Sequence, residues 1–233
     1  MLHEIVPNVV YNLLRSKGKL KFEYFYPEFQ IITVQLVFAS NNKNKIREIR
    51  HVLGKSFTLL SLYDINMEED IPETEPTLEG NALTKARFIH KATGRDVFAD
   101  DTGLEVDALD GLPGVHSARF AGEDKNSDAN IEKILAMLGE TKDRKARFRT
   151  VIALIINEKE YLFEGTVNGT IITEKRGKEG FGYDPVFVPE GNTLTFAEMD
   201  LNKKNAISHR ARAFEKLKEF LLLNIPQGNK EQI

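Results

Sequence analysis

From Val34 onward the chain switches repeatedly between two hydrophobic periods, and that switching restricts it to a short menu of folds. Val34-Gln-Leu-Val-Phe-Ala39 is an apolar run of buried-strand type, and Asn44 to Leu53 places Ile46, Ile49 and Leu53 on one helical face. The same reasoning predicts a strand over Phe57–Leu62, a helix over Leu78–Ala92 and a strand over Asp96–Ala99. Strands interleaved with helices in this way specify an α/β sheet. Asn126–Leu138 repeats the helical period. Arg147–Ile156 and Tyr161–Thr173 read as a long hairpin turning at Asn157–Glu160, so part of the sheet is antiparallel. A helix over Ala206–Leu223 closes the domain. The expected class is α/β, a mixed sheet with flanking helices and a cleft.

Residues 1–33 stand outside this pattern. Five of the six tyrosines and phenylalanines that precede Val34 cluster in Phe22–Phe29, with neither a helical nor a strand period. The segment reads as an extension that packs as an extra helix or strand, mediates contacts, or is translated ahead of the real start; nothing in it converges on chemistry. The domain is expected over 34–224, and residues 225–233 read as a frayed tail.

Composition narrows the function. Lys and Arg number 32 against 35 Asp and Glu, and the charges are scattered, so no basic face marks a nucleic-acid binder and a small ligand is expected. The chain has no cysteine, which excludes disulfides, thiolate zinc sites and cysteine nucleophiles and fits the cytoplasm. No apolar run approaches the roughly 20 residues that cross a bilayer, and no signal-peptide pattern opens the chain, so no membrane association or export is expected. His-Glu-x-x-His and Gly-x-Ser-x-Gly are absent, and five dispersed histidines do not suggest a zinc cluster.

Several short segments carry candidate chemistry. The turn Ser40-Asn-Asn-Lys-Asn-Lys45 joins a buried strand to a helix, where hydroxyl, amides, backbone N–H groups and lysines suit phosphate; the same turn also reads as an ordinary cap by Ser40 or Asn41. Asp100-Asp-Thr-Gly103 puts two carboxylates at a strand end before a glycine turn, where alternation sends them to opposite faces; Asp101 is expected to face the ligand and Asp100 to anchor the loop. Such a pair can hold a divalent metal. Ser117-Ala-Arg119 offers an arginine to brace phosphate or carboxylate. Glu73 stands out from the acidic run Glu68–Glu75, ahead of a helix on which Asn81 and Lys85 share a face. Gly177-Lys-Glu-Gly-Phe-Gly-Tyr-Asp-Pro185 matches neither the dinucleotide fingerprint nor the phosphate loop, but Phe181 and Asp184 within it can stack on a flat base and bond its edge. His209 and Arg210 open the last helix.

Read in order, Phe38-Ala-Ser-Asn-Asn-Lys-Asn-Lys-Ile-Arg-Glu48, Asn81-Ala-Leu-Thr-Lys-Ala86, Phe98-Ala-Asp-Asp-Thr-Gly-Leu-Glu-Val-Asp-Ala-Leu109, Gly111-Leu-Pro-Gly-Val-His-Ser-Ala-Arg-Phe120, Phe181-Gly-Tyr-Asp-Pro-Val-Phe187 and Ser208-His-Arg210 closely resemble the inosine/xanthosine triphosphate pyrophosphatase family, from about Val34 to Leu223. The resemblance implies magnesium-dependent hydrolysis of ITP, dITP and XTP to the monophosphate and pyrophosphate, two lobes around a central cleft, and a homodimer. It implies that Ser40, Asn41, Asn42, Lys43, Asn44 and Lys45 cradle the triphosphate, with Lys85 adding positive charge. Glu73 and Asp101 would hold magnesium, Asp101 also standing where the family places its general base, and Thr102 would contact substrate. Phe181, Gly182, Tyr183, Asp184, Lys204, His209 and Arg210 would form the base pocket. Asn41 stands where many members have glycine. A pyrophosphatase for another modified base, or a nucleotide-binding regulatory module without turnover, would use many of the same residues.

Overall fold

The alternating periods fold into one mixed sheet packed between helices, seen in a computed structural model that describes residues 10–16, 19–25, 34–53, 57–67, 71 and 73–224. The chain divides into two compact units, Met1–Thr33 and Val34–Ile233. In the first, β1 (Val10–Ser16) and β2 (Lys19–Phe25) pair antiparallel from Val10 opposite Phe25 to Ser16 opposite Lys19. Within this extension, Val10–Ser16 and Lys19–Phe25 take up strand. The expected C-terminal tail and Glu68–Asp70 of the acidic run lie outside the described residues.

The second unit is built on β3 (Val34–Phe38), β4 (Phe57–Ser61), β5 (Val97–Val106), β6 (Pro113–Gly114), β7 (Lys145–Ile156), β8 (Lys159–Ile171) and β9 (Phe187–Pro189). The order across the sheet is β4-β3-β5-β7-β8-β9, with β6 paired to β5; β3 is parallel to β4 and β5, and the remaining pairs are antiparallel. The β7–β8 hairpin closes at Ile156 opposite Lys159, tighter than the four-residue turn expected. Asn157 and Glu158 both take positive φ, 50° and 59°, as a two-residue hairpin turn of the twisted type requires.

Side-chain alternation along the strands separates the core into layers. Leu36, Phe38, Phe98, Ile152 and Leu154 face α1 (Lys43–Leu53) and α5 (His209–Asn224), where Phe214 and Leu217 complete the cluster. Val37, Ala39, Val97, Ala99, Val151 and Ala153 face Ala82, Ala86 and Ile89 of α2 (Leu78–Thr93) on the other side. Further along β5 and β7, Leu104, Val106 and Phe148 join Phe187, Phe196 and α3 (Ser127–Leu138) in a third core.

Two sequence expectations need correction. The strand read as ending at Ala99 continues to Val106, so Asp100 and Asp101 sit within β5 rather than on a loop. Its partner β7 pairs without interruption through this region, with Asp100 opposite Ile152, Asp101 opposite Val151 and Thr102 opposite Thr150. Gly103 is required not by a turn but by crowding, since a Cβ there would lie 2.6 Å from the Gly114 carbonyl oxygen. The single last helix is also two, α4 (Leu201–Ile207) and α5. Ser208 between them is extended at φ −69°, ψ 154°; its N–H closes α4 on the Lys204 carbonyl, and its Oγ accepts from Ala211 N at 3.2 Å to cap α5. One serine therefore stops one helix and starts the next, and turns His209 and Arg210 inward.

Candidate active site

The apolar layers end midway along β5 and β7, and there the strands carry Asp100, Asp101, Thr102 and Thr150, each 7% exposed or less except Thr102. A cavity of about 310 Å³ opens at this point between the two-layer core and the third one. Of the site residues that the resemblance implies, all but Lys43 and Asn44 line it. Those two are exposed on the first turn of α1, and the Asn44 N–H is taken by Asn42 Oδ1 at 3.0 Å.

One end of the cavity is cationic and acidic together. Asn42, not Ser40 or Asn41, caps α1: its Oδ1 also accepts from Lys45 N at 3.2 Å, and Ser40 Oγ accepts from Asn42 N at 3.2 Å. Asn41 Oδ1 is buried without a partner. Asp101 lines the cavity; Asn81 Nδ2 donates to its Oδ2 at 3.1 Å and Lys85 Nζ to its Oδ1 at 3.2 Å. Lys85 Nζ also donates to Glu73 Oε1 at 2.6 Å. Glu73 is gripped from its other side by Arg119, whose Nη1 reaches Oε2 at 3.2 Å and whose Nη2 reaches the Glu73 carbonyl at 3.1 Å. Arg119 thus braces a carboxylate, one of the two uses its sequence context offered.

Burial raises the Asp101 carboxyl above the usual range even though Lys85 and Lys45 pull it down. For Glu73 the burial effect is outweighed by Lys85, Lys45 and Arg119, and the group is held low. Burial lowers Lys45; for Lys85 it is overcome by Asp101 and Glu73, which keep the ammonium charged. Glu73 and Asp101 therefore converge on one point of positive charge. Two carboxylates with oxygen-only donors suit a hard cation that completes its shell with water and phosphate. Among the described residues no group of three or more His, Cys, Asp and Glu side chains could hold a metal, so a cation here would rest on these two.

The other end is an aromatic and cationic slot. The Phe181 ring has Lys204 Nζ 5.0 Å and Arg210 Cζ 5.5 Å from its centroid. Asp184 Oδ2 accepts from Phe181 N at 2.8 Å and from Lys204 Nζ at 2.6 Å, which fixes the glycine loop to α4. Tyr183 is bound inward, its hydroxyl donating to the Ser117 carbonyl at 2.8 Å. His209 stacks on Phe148 with centroids 4.6 Å apart, and its Nδ1 is buried without a partner. Burial, then Arg210 and Lys204, push its imidazole well below the ordinary value, so the ring is neutral at physiological pH.

Sequence reasoning missed Glu48, Phe148 and Thr150. Glu48, 5% exposed on α1, accepts from Lys204 Nζ at 2.7 Å and pairs with Arg210 Nη1. The available signal was its place one helical turn after Lys45, beside the inward Ile49. Thr150 stands opposite Thr102, their hydroxyls 2.7 Å apart.

Residues 36–220 match the model of the Ham1 family. The chain belongs to the Ham1 family. The resemblance read from the motifs is borne out at this level, and the match begins after the N-terminal unit. A dITP/XTP pyrophosphatase of Porphyromonas gingivalis is 58% identical over 189 residues, 81% of this chain and 97% of the relative. One of Flavobacterium johnsoniae is 55% identical over 188 residues, 81% of this chain and 98% of the relative. The Ham1 protein of Staphylococcus aureus superposes with a TM-score of 0.74 at 41% identity, over 81% of this chain and 98% of its own.

Proposed function

We propose that this Ham1 protein hydrolyses the deaminated purine nucleotides ITP, dITP and XTP between the α- and β-phosphates, releasing the nucleoside monophosphate and pyrophosphate. The observation that carries this reading is a single cavity joining Lys45, Lys85 and two carboxylates at one end to a Phe181 ring flanked by Lys204 and Arg210 at the other. A nucleoside triphosphate has that polarity, a polyanion at one end and a flat base at the other. The names carried by the relatives from Porphyromonas and Flavobacterium agree.

Water attacks the α-phosphorus, and the bridging P–O bond breaks with its electron pair leaving on pyrophosphate. Asp101, raised by burial and facing the cavity, takes the proton that the attacking water loses. Lys45 and Lys85 hold the phosphate chain in place and oppose the charge that grows on it, which favours the transition state over bound substrate. Magnesium is the hard cation assigned to Glu73 and Asp101, and when bound it supplies further neutralisation of the phosphoryl oxygens. Arg119 keeps Glu73 aimed at the cavity.

At the base, a 6-oxo purine presents an acceptor where adenine presents an amino donor. The slot is rich in donors, Lys204 and Arg210 among them, so adenine would leave a buried donor unmatched. A homodimer and a cytoplasmic location belong to the same reading; no helix among the described residues is long and apolar enough to cross a membrane. Pyrophosphate release from ITP, XTP, dITP, ATP and GTP, with magnesium and with chelator, tests the proposal. Magnesium-dependent release from ITP, dITP and XTP in strong preference to ATP and GTP is expected. Tight nucleotide binding without release would overturn it in favour of a regulatory module.

A further inference from the structure

Asp100 lies behind the cavity wall, 1% exposed and absent from the lining, and the mechanism above uses none of its atoms. Its two oxygens nevertheless serve opposite ends of the site. Oδ1 accepts from Lys45 Nζ at 2.9 Å, and the Asp100 carbonyl lies 3.5 Å from the same ammonium. Oδ2 accepts from Arg210 Nε at 3.2 Å and from Thr102 Oγ1 at 3.3 Å. Among the described residues no other side chain bonds both Lys45 and Arg210. From Arg210 the alternation of charge continues through Glu48 to Lys204 and Asp184, which holds the Phe181 N–H. A line of buried ion pairs therefore runs from the phosphate end to the base end, and Asp100 is its first junction.

The junction has a mechanical consequence. Asp100 is anchored within β5, where β7 pairs it opposite Ile152, so it cannot follow either cation. When a phosphate draws Lys45 into the cavity, the Asp100 charge is left to Arg210 alone, and in a site screened from water that redistribution is strong. A base that engages Arg210 leaves the Asp100 charge to Lys45 in the same way. We propose that Asp100 is a positioning residue that couples recognition of the triphosphate by Lys45 to recognition of the base by Arg210. The inference rests on the proposed function and adds that the two ends of the nucleotide are read together. A wrong base then misplaces Lys45 and lowers kcat, besides raising KM.

A double-mutant cycle tests this. Lys45→Gln and Arg210→Lys are made singly and together, and kcat/KM for ITP is measured in the wild-type background and in Asp100→Asn. With Asp100 present the two effects are expected to miss additivity by about tenfold, and with asparagine to add within about twofold. Asp100→Asn alone is expected to reduce the ITP-to-ATP ratio of kcat/KM by about tenfold. A merely structural role would lower active protein equally for both substrates and leave that ratio unchanged. If Asp100→Asn does not fold, the cycle in the wild-type background decides, and additivity there overturns the proposal. Wild-type protein that does not hydrolyse ITP would overturn the functional reading and this inference with it; hydrolysis with additive effects and an unchanged ratio would overturn the coupling alone.

Discussion

Replacing Glu48 by glutamine removes one negative charge, at nearly constant size, from between Lys204 and Arg210, whose side chains are 4% and 3% exposed. Removing one partner of a buried ion pair costs about 3–5 kcal/mol, because a charge is left in a medium that solvates it poorly. Here glutamine keeps an acceptor oxygen, and Asp184 and Asp100 still face the two cations, so the lower end, about 3 kcal/mol, applies. For a domain of this length that corresponds to a fall in Tm of about 6–12 °C. The pH dependence has a definite sign. Burial pushes the Glu48 carboxyl up, but Arg210 and Lys204 outweigh it and the net shift is below the ordinary 4.5. A group depressed on folding stabilises above its unfolded pKa and loses that contribution as pH falls through the folded value. Thermal denaturation followed by circular dichroism should therefore show the full gap near neutral pH, closing once the pH falls below about 4.5. A gap under about 2 °C at neutral pH, or one that widens in acid, would refute the reasoning.

Asp101→Asn should lower ITP turnover by about 10²–10⁴-fold with nucleotide binding largely kept; unchanged turnover would remove Asp101 as the base. Arg119→Met frees Glu73 from two hydrogen bonds and should raise the magnesium concentration for half-maximal activity by about 10-fold, with kcat at saturating magnesium mostly retained. An unshifted magnesium titration would show that Glu73 needs no such brace. Gly165→Ala places a Cβ 2.1 Å from the His209 carbonyl oxygen and 2.4 Å from Ala213 N, so α5 must move off β8. The expected loss is about 1–3 kcal/mol in urea denaturation, with weaker base selectivity because α5 begins at His209 and Arg210; wild-type stability would contradict the close approach.

The layers were legible in sequence because hydrophobic period reports burial directly: Val34–Ala39, the α2 face and the β7–β8 hairpin all follow from it. The extension of β5 through Asp100 and Asp101 was not, since local propensity makes Asp-Asp-Thr-Gly a turn and only the partner strand β7 and the cations beneath override it. The break at Ser208 was hidden for a related reason. Apolar periodicity runs across it, while the double capping that produces it is a property of one hydroxyl and one carbonyl. In the site, Glu48 ends the first of the ordered motifs yet was given no role, because that role depends on Lys204 and Arg210, far along the chain. Long-range charge pairing leaves no period to read.

Separating the products of ITP hydrolysis chromatographically is the most direct test of the functional assignment. Wild-type protein with magnesium should yield IMP and pyrophosphate in equal amounts, with no IDP at any stage and little product from Asp101→Asn. Appearance of IDP and orthophosphate would contradict attack at the α-phosphorus, and with it the placing of Lys45, Lys85, Glu73 and Asp101 around that bond.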